Sequence, residues 1–279
     1  MKVIKKIDVM QAVSKRCIEK KNTIGFVPTM GALHKGHLSL IQRARSENDI
    51  VIISLFVNPK QFTSIHDLNK YPHTLKEDIK LVNNDVDYVF VPTVDEMYPP
   101  DFQTSLVLGS CASDLEGEFR PGHFAGMATV VHKLINICRP TRAYFGLKDY
   151  QQFIVVSQMV KDLHIDTQIV GCPTVRESSG LALSSRNMRL SSEEKKNASQ
   201  IYQVLSGAKD IIQKGARNPQ IIEKYLSDNL KKIPKSKIEY VSVRSANLKP
   251  IDVIPSRVVL LVALSIGSVR LIDNCIIHC

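Results

Sequence analysis

Pro28-Thr29-Met30-Gly31-Ala32-Leu33-His34-Lys35-Gly36-His37 holds the residue types in this chain best spaced for chemistry. It follows the apolar run Ile24 to Val27 and leads into Leu38, Ile41 and Ala44 at helical spacing. That pattern predicts a strand, a tight glycine turn, and a helix start with two imidazoles beside it. Free N–H groups and the positive dipole end of a helix suit an anion, above all phosphate. Gly31 and Gly36 let backbone approach a ligand where a side chain would collide. His34 and His37, three apart, share one side of the first turn, where they can donate to a phosphate chain as charge develops. Two structural histidines, or a zinc site with its third ligand elsewhere, fit the same local pattern. Neither a G-x-G-x-x-G fingerprint nor a Walker A loop is present.

Four further segments carry polar groups at predicted strand or helix ends. Asn58 and Gln61, in Phe56 to Phe62, are neutral side chains that both donate and accept, suited to a small substrate with hydroxyls and a carboxylate. An ordinary Asn-Pro turn is the other reading. Arg120-Pro121-Gly122-His123-Phe124 either brings an arginine near an anion or caps the helix after it. In Gly146-Leu147-Lys148-Asp149-Tyr150-Gln151-Gln152, Lys148 suits phosphate oxygens. Asp149 suits a helix cap or a metal-bound nucleotide, and a solvated Lys-Asp pair fits equally. Ser184-Ser185-Arg186-Asn187 offers two hydroxyls and a guanidinium, as a phosphate-clamping loop would.

The elements that must position these groups alternate. Strands are predicted at Ile24 to Val27, Ile50 to Val57, Tyr88 to Val91, Phe102 to Leu108, Ala143 to Phe145 and Ile165 to Val170. Helices are predicted near His37 to Ser46, from Thr74 to Asn83, along the stripe Met127, Val130, Val131, Leu134, Ile135 and Cys138, and from Tyr150 to Leu163. Such alternation implies a parallel sheet covered by helices, with ligands at the carboxyl ends of its strands. The segments beginning at Pro28, Asn58 and Gly146 all fall there. Beyond Cys172-Pro173 the order changes. Lysine-rich helices at Ser191 to Lys214 (Ser191 and Glu194 forming a capping box) and Pro219 to Leu230 precede strands at Lys237 to Val243, Arg257 to Ser265 and Val269 to Ile277. Ile266-Gly267-Ser268 is the predicted hairpin turn, and the whole reads as a smaller α+β domain.

Composition narrows the function. The chain has 279 residues, 44% of them hydrophobic, and no apolar run near the length of a membrane span. Met1 to Lys20 has no apolar core of a signal peptide, so the expected compartment is the cytoplasm. Cys17, Cys111, Cys138, Cys172, Cys275 and Cys279 show no metal spacing and are expected as free thiols. The formal charge of +10 invites RNA binding, but 24 lysines against 13 arginines, with no RNA-binding motif, favour a solvated basic surface.

Taken in order, the motifs resemble the pantoate–β-alanine ligase (pantothenate synthetase) family over nearly the whole chain. They are Pro28-Thr29-Met30-Gly31-Ala32-Leu33-His34-x-Gly36-His37, Phe56-Val57-Asn58-Pro59-x-Gln61-Phe62, Asp67-Leu68-x-x-Tyr71-Pro72 and Arg120-Pro121-Gly122-His123-Phe124-x-Gly126. Phe145-Gly146-x-Lys148-Asp149, Gln151-Gln152, Gly180-Leu181-Ala182-Leu183-Ser184-Ser185-Arg186-Asn187 and Arg270-Leu271-Ile272-Asp273-Asn274 complete the set. H-x-G-H alone is shared by nucleotidylyltransferases and class I tRNA synthetases; the ordered set is specific.

The resemblance implies that pantoate attacks the α-phosphorus of Mg-ATP, and that β-alanine then attacks the pantoyl adenylate to give pantothenate and AMP. By position it implies ATP binding at Met30, Gly31, Ala32, Leu33, His34, Lys35, Gly36 and His37, at Gly146, Leu147, Lys148 and Asp149, and at Val175, Leu183, Ser184, Ser185 and Arg186. His37 is the usual catalytic residue, with His34, Lys148 and Arg186 beside it on the phosphates. Gln61 and Gln152 would hold pantoate, Gln61 also β-alanine, with Asn58 in the same pocket; no metal ligands are assigned. It further implies a Rossmann-like domain over residues 1–174, a smaller domain over 175–279 closing over the site, and a homodimer. Leu147, Ser179 and His73 depart from the family's common glutamate, aspartate and arginine. Another H-x-G-H nucleotidylyltransferase and a basic RNA-binding protein are the alternatives.

Overall fold

The computed structural model describes residues 1–82 and 84–278; Asn83, the expected end of one helix, and Cys279, one of the expected thiols, lie outside. The chain divides into two compact units, Met1–Leu147 with Gln151–Pro173, and Lys148–Tyr150 with Thr174–Cys279.

The first unit carries a six-stranded parallel sheet: β1 (Lys2–Ile4), β2 (Ile24–Thr29), β3 (Ile50–Leu55), β4 (Tyr88–Phe90), β5 (Arg142–Gly146) and β6 (Gln168–Cys172). Its helices are α1 (Ile7–Glu19), α2 (Lys35–Glu47), the short α3 (Ile65–Asn69), α4 (Leu75–Leu81), α5 (Val94–Met97) and α6 (Glu116–Phe119), then α7 (His123–Cys138) and α8 (Tyr150–Asp162). Side-chain alternation builds a core on each face of the sheet. Ile24, Phe26, Ile52, Phe90, Ala143 and Phe145 join one cluster with Met10, Met127 and Val155 from α1, α7 and α8. Val27, Val51, Ile53, Val89 and Tyr144 join the other with Leu40, Ile41 and Ala44 from α2. Helices therefore cover both faces. Each fully buried Ile, Leu or Phe contributes about 1.5–3 kcal/mol.

The strand order is β1-β4-β3-β2-β5-β6. Successive strands step outward from β2 to one side, then return to place β5 on its other side. This reversal opens a crevice beyond the carboxyl ends of β2 and β5, where doubly wound sheets bind ligands.

Two local expectations change, and two elements had no expectation. Phe102 to Leu108 forms no strand: Val107 is 95% exposed, and the Leu106 amide donates instead to Thr129 Oγ1 on α7 at 3.2 Å. The last strand begins at Gln168 rather than Ile165, because Thr167 Oγ1 bonds the Pro140 carbonyl and the Gln168 amide bonds Thr141. β1 and α1 were hidden by the charges scattered through Met1 to Lys20.

The second unit has three antiparallel strands, β7 (Ser236–Ser245), β8 (Arg257–Ile266) and β9 (Val269–His278), with helices α9 (Ser192–Gln213) and α10 (Pro219–Leu230). Val258, Leu260, Val262 and Leu264 of β8 pack with Ile201, Leu205, Ile222 and Leu226 of the helices. The Ser191–Glu194 capping box starts α9, and Gly267 turns the last hairpin at φ +58°.

Candidate active site

The loop after β2 is held by a buried carboxylate. Asp78, on α4 and 3% exposed, accepts the Ala32 amide at 2.9 Å, the Leu33 amide at 2.8 Å and the Thr74 hydroxyl at 3.0 Å. These bonds stabilise a turn with φ +82° at Gly31 and +51° at Ala32, a region that disfavours side chains. A Cβ at Gly31 would also come within 3.0 Å of Asp78 Oδ2.

The two histidines form a reciprocal cap on α2. Gly36 N donates to His34 Nδ1 at 3.1 Å, and His34 N donates to His37 Nδ1 at 3.2 Å. A backbone N–H can only donate, so both Nδ1 atoms accept and each neutral ring carries its hydrogen on Nε2. The ring centroids lie 4.1 Å apart. This corrects the expectation of free loop amides. Those of Ala32, Leu33, His34 and Gly36 are already bonded within the protein, and the donors this turn offers are imidazole Nε2–H groups. Lys35 is exposed, and Met30 is half-buried at the end of the strand.

Asn58 and Gln61 sit on a single 3₁₀ turn after β3, 1% and 8% exposed. A close approach of α7 supports the turn: a Cβ at Gly126 would lie 2.1 Å from the Lys60 carbonyl oxygen. His123 Nδ1 lies 2.7 Å from the Gln61 carbonyl and its Nε2 lies 3.1 Å from Arg120. A guanidinium only donates, so Nε2 accepts and Nδ1–H bonds Gln61. Glu116 lies 3.9 Å from Arg120. The Arg120–His123 segment thus buttresses the Gln61 backbone. Gln151 is buried and structural, accepting Glu116 N at 2.9 Å, whereas Gln152 is half-buried. Gly146 ends β5 at the crevice, and Leu147 packs over Gly171, where a Cβ would meet it at 2.8 Å.

Within the second unit, Lys148 Nζ pairs with Asp149 at 3.6 Å, and the Lys148 carbonyl accepts from Asn274 Nδ2 at 2.8 Å. Val175 and Leu183 are joined by a backbone bond of 3.0 Å across a turn closed by Gly180 at φ +91°. Ser179 Oγ accepts Leu181 N at 3.4 Å in that turn, the local role an aspartate would also fill. Ser184 caps the following 3₁₀ turn by accepting Arg186 N, and Ser185 and Arg186 are half-buried. Sequence reading missed Arg176, which binds Asp273 through two bonds of 2.7 and 2.8 Å and stacks 3.7 Å over Tyr202. It also missed Asp78, Thr74 and Tyr98. His73 is exposed.

A six-stranded doubly wound sheet with a histidine-capped loop at its switch point defines a nucleotide-binding α/β enzyme of the H-x-G-H type. The family model described as pantoate-beta-alanine ligase matches residues 2–276. The pantothenate synthetase of Thermosipho africanus is 49% identical across 99% of this chain and all of its own. The crystal structure of pantothenate synthetase from Thermus thermophilus has a TM-score of 0.93, 41% identity and 99% coverage of both chains. Pantoate-beta-alanine ligase from Francisella tularensis, complexed with beta-gamma ATP and beta-alanine, has a TM-score of 0.82, 40% identity, and coverage of 99% of this chain and 97% of its own. The chain belongs to the pantoate–β-alanine ligase family, whose members are ligases that form an amide bond.

Proposed function

We propose that the chain condenses pantoate with β-alanine at the expense of ATP, through a pantoyl-adenylate intermediate. A pantoate carboxylate oxygen attacks the α-phosphorus, the bond to the β-phosphate oxygen breaks, and pyrophosphate leaves. The β-alanine amine then attacks the acyl carbon, and the C–O bond breaks to release AMP. A free carboxylate is a poor acyl donor; the mixed anhydride has a good leaving group.

The observation that carries this reading is the pair of Nε2–H donors fixed at the start of α2, beyond the carboxyl end of β2. Such donors stabilise charge that grows on phosphate oxygens as pyrophosphate departs. His34 and His37 take that role, with Lys148 and Arg186 neutralising the leaving group. The loops at Met30–His37, Gly146–Asp149, Val175 and Leu183–Arg186 hold the nucleotide. Gln61 and Gln152 hold pantoate, Gln61 also meets β-alanine, and Asn58 stands behind Gln61. Mg²⁺ is read as arriving on the ATP phosphates. Residues 1–174 and 175–279 are the proposed working domains. The active form is read as a homodimer, as the family resemblance implies. Among the described residues no helix is long and apolar enough to cross a membrane. The cytoplasm, where ATP is supplied, is the proposed compartment, and no nucleic acid takes part.

Isotope transfer tests the chemistry. With ¹⁸O in the pantoate carboxylate, one label should appear in AMP. Unlabelled AMP would contradict an adenylate.

A further inference from the structure

The amide of Asn58 is fixed by two backbone groups. The Lys60 N–H can only donate and lies 3.3 Å from Oδ1; the Gly126 carbonyl can only accept and lies 3.1 Å from Nδ2. The side chain therefore stands one way round. Tyr98 Oη, 2.8 Å from the same Oδ1, must then donate, and Gln61 Oε1, 3.0 Å from Nδ2, must accept. This leaves Gln61 with its Nε2 turned the other way, 2.9 Å from the Met30 sulfur. A thioether is a weak acceptor, readily replaced by a ligand oxygen.

We propose that Tyr98 is a positioning residue which, through Asn58, holds the Gln61 amide with its N–H donors toward the ligand, so that the pocket selects an acceptor oxygen such as the carboxylate or hydroxyl of pantoate. The inference rests on the reading of Gln61 as the pantoate contact. Three features suit Tyr98 to the task. It is 9% exposed, and burial pushes its hydroxyl up to about 12, so it remains a donor at neutral pH. Its ring is wedged against Phe102, with centroids 5.1 Å apart, and against Phe56 at 6.3 Å. Its hydroxyl also bonds a group that is itself almost wholly buried, where a missing donor is costly.

Tyr98→Phe removes only the hydroxyl. Initial rates should show the KM for pantoate raised about tenfold, the scale of one lost hydrogen bond to a buried group, with the KM for ATP within about twofold. Thermal unfolding should fall by no more than one lost hydrogen bond costs, because Asn58 Oδ1 keeps the Lys60 N–H. A general loosening would instead raise both KM values and lower the melting temperature together; that result, or an unchanged pantoate KM, would overturn the proposal. A second readout does not depend on turnover. NMR exchange of the Asn58 and Gln61 side-chain amide protons should be slow in the native protein and faster in Tyr98→Phe. If the native protein shows no pantoate-dependent turnover, the functional reading fails; faster exchange would still support the relay, and unchanged exchange would overturn it.

Discussion

Backbone amides fix the ring orientation of both His34 and His37. Each Nδ1 accepts a main-chain N–H, so in the neutral rings the hydrogen lies on Nε2, the atom proposed to meet the phosphates. Removing the His37 donor with His37→Ala should lower pantoate-dependent pyrophosphate release about 10²–10³-fold, the usual effect of losing one preorganised donor to developing charge. A fall of less than about threefold would remove His37 from the chemistry. Asp78→Ala should act differently. It leaves the Leu33 amide without its acceptor, at about 1–3 kcal/mol, and the Ala32 amide with only Thr74 Oγ1, and should lower stability to denaturant while raising the KM for ATP. Asp78→Asn, which keeps one carbonyl acceptor, should recover part of both losses; equal damage from the two variants would contradict a capping role. The histidines were legible because two imidazoles beside glycines after an apolar strand form a local pattern. Asp78 was not: within Leu75-Lys76-Glu77-Asp78 it looks like part of a solvated helix face, and only folding brings it to Ala32, 46 positions away.

Strand-and-helix alternation was readable wherever an element buries a contiguous apolar stripe. α7 follows from its stripe, and α10 matches the expected range Pro219 to Leu230 at both ends. Reading failed where tertiary partners decide. Phe102 to Leu108 has strand-forming residues, but among the described residues no strand pairs with it, so its backbone turns to Thr129. β1 is three residues long and is fixed by its register with β4, which no local pattern encodes. The contact between α7 and the Asn58–Gln61 turn is of the same kind, since Gly126 is needed only because Lys60 lies against it. Gly126→Ala would place a methyl 2.1 Å from the Lys60 oxygen and must displace the turn. The expected result is about 1–3 kcal/mol of lost stability, read by thermal unfolding, with a raised pantoate KM. An unperturbed pantoate KM would mean that the turn does not set the pocket.

The full chain carries two units with different construction: a parallel sheet with a core on each face, and an antiparallel sheet packed on two helices. In the second unit the Arg176–Asp273 pair is largely buried, with 14% and 6% side-chain exposure, so Arg176→Ala strands a carboxylate. That should cost about 3–5 kcal/mol, read as a lower unfolding midpoint; a change below about 0.5 kcal/mol would show the pair to be replaceable. The proposed homodimer predicts that Val107→Glu halves the mass measured by light scattering, while an unchanged mass would remove this segment from the interface. Assembly was not legible from periodicity, because a single exposed valine looks like any surface residue. In the proposed reaction, carboxylate activation precedes amide formation. The direct measurement is pyrophosphate release from Mg-ATP with pantoate present and β-alanine withheld. The expected result is a pantoate-dependent burst stoichiometric with enzyme, turning to steady AMP formation when β-alanine is added. Pyrophosphate that appears only after β-alanine is added would contradict it.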